Sequence, residues 1–310
     1  MLGLSGSAFL LYTMHNHNHH HSHSSSRIAW AFFLNVSFTI IEFIGGWLTN
    51  STAIMADAVH DLGDSLSLGL AWLLGGLSEK EASSNFSYGY RRFSLLGALI
   101  NGIVLVFGSI WVISEAIPKL LNPEMPVVEG MLGLALLGIV VNGYAAFKLS
   151  SGKTLNERVL NWHLLEDVLG WVAVLVVAIV LMFVELPILD PILSIIFTLF
   201  ILANVFRNLW AVFKIFLQAT PYSSIAEEIR KSLVEIDEIN EVHHLHVWSL
   251  DGERHVMTVH IILGSTLTVE KQIKLKEKIS GTLTKFELNH TTIEFEFPGE
   301  YCRDNNMNFN

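Results

Sequence analysis

Two pairs of metal-ligand residues share one spacing, in which a histidine is followed four positions later by an aspartate. The pairs are His60 with Asp64 and His163 with Asp167. Residues four apart on a helix project from the same face, one turn above the other. Two such helices side by side would therefore offer two imidazoles and two carboxylates to a single ion. This donor set suits a tetrahedral Zn²⁺, and the two carboxylates balance its charge.

Both pairs lie inside apolar stretches long enough to cross a bilayer, at residues 52–77 and 159–184. A spanning helix needs roughly 20 apolar residues. Ionisable groups at membrane depth are costly, and they commonly mark an ion pathway or a proton relay. Histidine and aspartate must lose their protons to bind a metal, so metal ions and protons compete for them. The pattern predicts a site that exchanges a divalent metal for protons. The alternative, polar residues that cross-link helices, explains the repeated spacing less well.

Other acidic residues flank the two pairs. Asp57 and Asp61 either hold a ligating imidazole in place or make helix contacts, and the sequence leaves both interpretations open. Glu166 is a weaker candidate of the same kind. Glu42, in the preceding span, is interpreted as a packed structural group rather than a ligand.

The composition is typical of a membrane protein, since 51% of the 310 residues are hydrophobic and only 15% are charged. The predicted domains are a cytosolic histidine-rich segment (1–27), a six-helix membrane domain (28–220) and a cytosolic domain (221–310). Six spans are predicted by length and hydropathy, at residues 28–49, 52–77, 92–114, 128–149, 159–184 and 188–217.

The distribution of basic residues predicts the orientation of the spans. If the N-terminus is cytosolic, the opposite side of the membrane receives only Lys119. Basic residues favour cytosolic loops, so both termini are predicted to be cytosolic. The basic residues then placed on the cytosolic side are Arg27, Lys80, Arg91, Arg92, Lys148, Lys153, Arg158 and Lys214.

From Pro221 onward the pattern changes to that of a soluble domain with the element order α-β-β-α-β. Helices are predicted at 223–236 and 268–286, and strands at 241–250, 254–263 and 291–297. This order favours a small ferredoxin-like sandwich. About 80 residues make a marginal core, so pairing with a second copy would stabilise the domain.

The soluble domain offers a second candidate metal site at His246, His260 and Glu296. Strict alternation along the first strand would put His244 and His246 on one face and His243 on the other. Surface histidines on an acidic domain are the alternative interpretation. The domain carries 15 acidic and 9 basic residues, which gives −6 of the total charge of −10 and argues against nucleic-acid binding.

The N-terminal segment contains six histidines in the nine residues from His15 to His23. Such a tract can gather metal loosely. An expression tag is the alternative, but the interruptions by Asn and Ser favour a natural metal-gathering segment. The single cysteine, Cys302, provides neither a disulfide framework nor a Cys-x-x-Cys zinc site.

Several motifs together resemble the cation diffusion facilitator family of zinc transporters. They are Met55-Ala-Asp-Ala-Val-His-Asp-Leu-Gly-Asp64, Asn161-Trp-His-Leu-Leu-Glu-Asp167, Tyr88-Gly-Tyr-Arg-Arg92 and Leu245-His-Val-Trp248. The resemblance implies export of Zn²⁺ from the cytosol by proton antiport, in a homodimer that alternates access around the four-ligand site. It also implies metal binding at His246, His260 and Glu296. The His/Asp pairs resemble the zinc-selective branch, whereas all-carboxylate pairs are typical of the manganese and iron branches.

Three further features refine this resemblance. The short connection between spans four and five lacks a histidine-rich insert, which favours a bacterial inner-membrane protein. The loop from Ser78 to Ser87 contains no histidine, so a metal site there is not expected. Cys302 has no partner cysteine, so a cysteine-bearing site in the C-terminal tail is not expected either. The Tyr88–Arg92 segment is predicted to lie at the membrane surface, with its arginines on lipid headgroups or an acidic partner.

Other function classes agree less well with the sequence. A membrane metalloenzyme would need an open coordination position and a general base, as in His-Glu-x-x-His, and the sequence contains no such motif. The protein is therefore not expected to be an enzyme. A membrane metal sensor, or a transporter that prefers Cd²⁺ or Co²⁺, remains as an alternative, because affinity order alone discriminates these ions poorly.

Overall fold

The computed structural model describes residues 24–150 and 155–304, so the histidine-rich tract lies outside the described residues. The described chain forms six long helices followed by a small α/β domain, which confirms the predicted fold class. The long helices are α1 (Ser24–Thr49), α2 (Thr52–Ser78), α3 (Arg92–Leu121), α4 (Val128–Ser150), α5 (Leu155–Phe183) and α6 (Leu189–Phe216).

Five of these helices, all except α2, are long and apolar enough to cross a membrane. Helix α2 spans 27 residues but carries Asp57, Asp61 and Asp64 together with several serines and glycines, which lower its hydropathy. The helix with the weakest membrane signal is therefore the one that carries half of the predicted site. Large apolar side chains on the neighbouring helices are exposed, as expected for lipid-facing surfaces, among them Phe107, Phe147, Phe183 and Phe200.

The described residues separate into two compact units. One holds α1, α2 and the chain from Leu96 to Trp210; the other holds Ser78–Leu95 and the chain from Ala211 onward. Within the first unit, the α1–α2, α3–α4 and α5–α6 connections meet at one end of the helices, which we call the outer end. Asn50 of the first connection bonds to Glu124 of the second, and Ser51 bonds to Asp190 at the start of α6.

Helix α2 packs on both sides within the first unit. Ala53 and Ile54 belong to an apolar cluster with residues of α1, α4 and α5, including Trp171. Ala56 and Val59 belong to a second cluster, with Leu105 of α3 and Leu209 of α6 among its members. The outer half of α2 is thus enclosed by the other five helices.

Glycines allow the helices that carry the site to approach one another closely. A Cβ at Gly138 of α4 would collide with the indole of Trp171 on α5, and one at Gly63 of α2 would collide with Leu105 of α3. Small residues at helix interfaces are the usual means of close packing in membranes, where the hydrophobic effect does not drive helices together. Trp171 is fully buried and lies edge-on against Phe38 of α1, with ring centroids 5.6 Å apart.

The second unit contains a three-stranded sheet covered by two short helices. The sheet order is β1-β2-β3, with β1 antiparallel to β2 and β2 parallel to β3. Each helix buries one face at a spacing of four residues, through Ile225, Ile229 and Leu233 on the first helix and Leu275, Ile279 and Leu283 on the second. The elements are α7 (Ile225–Val234), β1 (Ile239–Ser249), β2 (His255–Leu263), α8 (Val269–Leu283), a 3₁₀ turn (Thr284–Phe286) and β3 (Leu288–Glu296).

The loop Ser78–Leu95 contacts this sheet. Nη1 of Arg91 lies 4.0 Å from Oδ2 of Asp251 in the β1–β2 turn, and the ring of Tyr88 lies 5.2 Å from that of His290 on β3. Oδ1 of Asp251 accepts hydrogen bonds from the backbone N–H groups of Glu253 and Arg254, which shapes the turn. The two partners predicted for the arginines were lipid headgroups and an acidic group. The structure places an acidic residue, Asp251, beside Arg91.

Strand β1 contains a bulge at His244, which has a positive φ of 46°. The pairing with β2 shifts there, so that His243 lies opposite His260 but His246 lies opposite Thr258. Val242 and Val247, five residues apart, both face the core. Strict alternation would put them on opposite faces, and the extra residue of the bulge reconciles them. The prediction that His243 and His246 face opposite sides of the sheet is therefore wrong.

Candidate metal centre

The two His/Asp pairs come together between α2 and α5. Nε2 of His163 lies 2.8 Å from Oδ2 of Asp64 and 3.9 Å from Oδ2 of Asp167. Nε2 of His60 lies 3.6 Å from Oδ2 of Asp64 and 3.9 Å from Oδ1 of Asp167. One donor atom from each of the four side chains falls within 4.8 Å of all the others.

These distances fit a tetrahedral ion. Zn²⁺ binds histidine nitrogen and carboxylate oxygen at about 2.0–2.2 Å, which places the donors of a tetrahedron about 3.3–3.6 Å apart. The four separations, from 2.8 to 3.9 Å, bracket that value. Small side-chain rotations would therefore complete the coordination, without movement of the helices.

The four side chains differ in their exposure. His60, Asp64 and His163 keep 26–30% of their side-chain surface accessible, whereas Asp167 keeps only 2%. The site is thus open on the side of the first three residues and closed behind Asp167. An ion reaching it would meet the three exposed side chains before Asp167.

The acidic neighbours of the site pack against helices. Asp57 is buried on the side of α5, where a Cβ at Gly170 would lie 3.5 Å from its Oδ1. Asp61 is buried beside Glu42 of α1, which is itself fully buried. Glu166 is exposed. None of these residues belongs to the four-donor group, in keeping with the interpretation of Glu42 as a structural residue.

A second donor cluster lies in the α/β domain and consists of His243, His260, Glu296 and Cys302. Oε1 of Glu296 lies 2.8 Å from Nδ1 of His260, and its Oε2 lies 3.2 Å from Nε2 of His243. The Cys302 sulfur lies 3.5 Å from the same Nδ1 of His260. The structure thus brings together His260 and Glu296, as predicted, and adds His243 and Cys302.

His246 is exposed on β1 and stands outside this cluster. The cause is the bulge at His244, because it brings His243 opposite His260 and leaves His246 opposite Thr258. A positive φ at a histidine is not visible in the sequence. Cys302 was missed for a different reason: it lies six residues after the last strand, in a tail whose course the sequence does not predict.

The electrostatics of the second cluster favour an anionic Glu296. Burial raises the pKa of its carboxyl group, but hydrogen bonds with Cys302 and His260 outweigh burial, so the pKa lies below its usual value. The opposite holds for Cys302, whose thiol pKa is raised by burial and by the neighbouring Glu296. A metal that binds this sulfur must therefore displace its proton, which makes binding weaker at low pH.

Comparison with known protein families covers both the helical unit and the α/β domain. Residues 28–217 match the model of the cation efflux transmembrane domain, and residues 221–297 match that of the cation efflux protein cytoplasmic domain. The chain belongs to the cation efflux family. This result confirms the resemblance to cation diffusion facilitators, and it identifies the helical unit as a multi-pass membrane domain.

Individual members of the cation efflux family align along most of the chain. The cadmium, cobalt and zinc/H(+)-K(+) antiporter of Bacillus subtilis is 33% identical over 270 residues, covering 86% of this chain and 87% of its own. The zinc transporter ZitB of Escherichia coli is 33% identical over 288 residues, 91% of this chain and 90% of its own. The metal cation efflux system protein CzcD of Cupriavidus metallidurans is 29% identical, over 88% of this chain and 86% of its own.

Proposed function

We propose that this protein exports Zn²⁺ from the cytosol in exchange for protons, through the site formed by His60, Asp64, His163 and Asp167. The proposal is carried by one observation: two imidazoles and two carboxylates from two separate helices place four donor atoms within 4.8 Å of one another. Imidazole donors favour borderline metals such as Zn²⁺ over Mg²⁺ and Mn²⁺. The zinc transporter ZitB and the zinc antiporter of B. subtilis, both one-third identical, support the same substrate.

Proton exchange follows from the chemistry of the ligands. A histidine and a carboxylate bind Zn²⁺ only after losing their protons, so each bound ion displaces protons and each returning proton weakens metal binding. When the site faces the side with more protons, protonation releases the ion. When it faces the cytosol, the lower proton concentration allows the next ion to bind. The pH gradient thereby drives export.

The proposed orientation has both termini in the cytosol of a bacterial cell and the helices in its inner membrane. The bias of basic residues supports it, because Lys119 alone falls on the other side. The relatives from B. subtilis and E. coli are bacterial proteins named as an antiporter and a transporter, which supports the location. The outer end of the helices then faces away from the cytosol, and lipid surrounds their exposed apolar side chains.

We further propose a homodimer whose cytosolic domains respond to metal. A small three-stranded domain is more stable when paired with a second copy. Metal bound at His243, His260, Glu296 and Cys302 would offset the negative charge of the domain and let two copies approach. Small-angle scattering of the full-length dimer with and without Zn²⁺ tests this, since a separation that does not respond to metal contradicts it.

The ion specificity has one alternative with support of its own. The B. subtilis relative is named for cadmium and cobalt as well as zinc. The Cys302 sulfur in the second donor cluster is a soft donor that suits Cd²⁺ as well as Zn²⁺. Competition of Cd²⁺ and Co²⁺ with radioactive Zn²⁺ in the transport assay ranks the three ions.

Metal uptake into proteoliposomes with an imposed pH gradient tests the transport proposal. We expect gradient-driven Zn²⁺ flux in the wild type and its loss in Asp64→Ala. Glu129→Gln, at an exposed position in the first turn of α4, is the matched control and should transport normally. If Zn²⁺ binds to the protein but never crosses the membrane, transport is excluded and a membrane metal sensor becomes the better interpretation.

A further inference from the structure

A single carboxylate ties the start of α6 to the start of α2. Asp190 accepts four hydrogen bonds, all from Ser51 and the first two residues of α2. Its Oδ1 accepts from Oγ of Ser51 at 2.5 Å and from N of Ala53 at 3.3 Å. Its Oδ2 accepts from N and Oγ1 of Thr52, at 2.7 and 2.9 Å. We call these four residues the outer latch.

The chemistry of the outer latch makes it strong in the closed state. Asp190 is 1% exposed, so its charge is stabilised by these donors and by the positive end of the α2 dipole rather than by water. The first N–H groups of a helix have no partner within the helix, and a residue just before the helix usually provides one. Ser51 does so for Ile54, but Thr52 and Ala53 depend on Asp190 from another helix.

The same end of α2 is held from a second direction. Asn50 adopts a positive φ of 55°, and its backbone oxygen and Oδ1 accept hydrogen bonds from Nζ of Lys119 on α3, at 2.7 and 2.6 Å. The backbone oxygen of Thr49 accepts a bond from N of Val127, at 2.8 Å. The turn before α2 is therefore fixed to α3, to the α3–α4 loop and to α6.

Burial along α2 changes abruptly at the metal site. On the side of the outer latch, Ala53, Ile54, Ala56, Ala58 and Val59 are all at most 5% exposed. On the other side of the site, none of the residues 66–74 is buried. Thr52 of the outer latch lies 8 residues before His60 and 12 before Asp64, or about 12 and 18 Å along the helix. The helices thus pack tightly around α2 between the site and the outer end and loosely on the other side of the site.

We infer that Asp190 is a positioning residue that keeps the outer half of α2 closed over the metal site. Release of an ion at the outer end requires these helices to part, so the bonds of Asp190 to Ser51, Thr52 and Ala53 must break at that step of the cycle. The inference rests on the proposed transport function. Weakening the outer latch then raises the population of molecules open at the outer end without changing any metal ligand.

Accessibility of single cysteines along α2 tests the inference independently of flux. In a Cys302→Ser background, which removes the only native cysteine, Ala56→Cys reports on the outer half of α2 and Ala71→Cys on the inner half. A membrane-impermeant thiol reagent is added from the outer side of intact cells. We expect Asp190→Asn to accelerate labelling at residue 56 by about tenfold or more, since charge-assisted bonds are lost. Labelling at residue 71 should not increase.

Two gentler variants control for misfolding. Thr52→Val removes one side-chain donor while keeping the backbone N–H, and Ser51→Ala removes another. Both should accelerate labelling at residue 56 by less than Asp190→Asn does. Unfolding would instead accelerate labelling at both reporters. If residue 56 reacts within twofold of the parent rate in all three variants, the inference that Asp190 keeps the outer half of α2 closed is overturned. Absence of zinc flux in the wild-type protein would contradict transport alone and leave the labelling result intact.

Discussion

Nε2 of His163 on α5 lies 2.8 Å from Oδ2 of Asp64 on α2, the shortest of the four contacts between ligand side chains. This contact joins the two helices through one histidine and one aspartate taken from different pairs. The donors are therefore preorganised across the helix interface before an ion arrives, which lowers the conformational cost of binding.

Asp64→Asn should weaken Zn²⁺ binding to the membrane site on the order of 100-fold or more. The substitution removes one of the two negative charges while His163 and the bound ion keep their positions. The positive charge of the ion is then balanced by the Asp167 carboxylate alone. Asp61→Asn is the matched control, because Asp61 lies on the same helix but outside the donor group. Calorimetry on the full-length protein measures both, and equal losses would contradict the assignment of Asp64 as a ligand.

His60→Asp should shift the ion preference towards Mn²⁺. The substitution leaves one imidazole and three carboxylates, and oxygen donors suit harder ions. Transport of Mn²⁺ should rise relative to Zn²⁺ in a competition assay in proteoliposomes. His290→Asp, in the α/β domain, serves as a control for the added charge. An unchanged Mn²⁺/Zn²⁺ ratio would show that selectivity does not come from this ligand.

His243→Ala should reduce metal binding by the cytosolic domain more than His246→Ala does. His243 lies 3.2 Å from Glu296, whereas the bulge sets His246 opposite Thr258. Co²⁺ titration of the full-length protein with both Asp64 and Asp167 replaced by Ala removes the contribution of the membrane site, and the histidine-rich tract is common to all variants compared. In that background, Cys302→Ser should abolish the sulfur-to-cobalt charge-transfer absorption, because Cys302 is the only thiol of the chain. A band that survives in Cys302→Ser, or a larger effect at His246, would contradict this assignment.

Gly138→Ala should destabilise the packing of α4 against α5. A Cβ there would collide with the indole of Trp171, and inserting a methyl group into a tight core costs about 1–3 kcal/mol. Gly143→Ala is the control on the same helix, since nothing lies within 4 Å of a Cβ at that position. Thermal unfolding in detergent should show a lower midpoint for Gly138→Ala only. Equal midpoints would mean that α5 can shift to make room.

The strands around His255 should lose protection from hydrogen exchange as the pH falls. Burial lowers the pKa of His255, although Glu287 and Asp251 oppose this effect. Above about pH 6.5 the imidazole is neutral in both the folded and unfolded states, so it contributes no pH dependence. Below that pH the unfolded chain binds a proton more readily than the folded one, and stability falls until the folded pKa is passed. Exchange of the β2 amides in the full-length protein at pH 7.5 and 5.5 measures this, and His255→Gln should reduce the difference. If His255→Gln shows the same difference in exchange between the two pH values as the wild type, another group causes the loss of protection.

The sequence was sufficient to predict the helices and the four side chains that meet between α2 and α5. All six long helices begin and end within a few residues of their predicted limits, apart from the extension of α3 to Leu121. Helical spacing is regular, so residues four apart must share a face, and His60, Asp64, His163 and Asp167 follow from that rule. Neither the tertiary pairing of α2 with α5 nor the 2.8 Å contact is needed to name the four residues.

The second donor cluster, in the α/β domain, was harder to predict, because strand geometry is less regular than helix geometry. Because of the single bulge at His244, His243 rather than His246 lies opposite His260. The sequence contains no proline or glycine at this point that would signal a bulge. The outer latch was also unpredictable, since the partners of Asp190 are two hydroxyls and two backbone N–H groups that lie nearly 140 residues away in the chain. Such contacts depend on how the helices pack and leave no trace in residue spacing.

In the proposed transport site, the unequal exposure of the four candidate ligands would have a kinetic consequence. A hydrated ion would first meet His60, Asp64 and His163, which would replace part of its water shell while the remaining waters still contact solvent. Asp167, almost fully buried, can replace the last waters only after the ion has settled between the helices. Dehydration is then divided into small steps within the protein. Mg²⁺, which holds its water tightly and demands octahedral geometry, would stall at the first of these steps, whereas Zn²⁺ would pass through them.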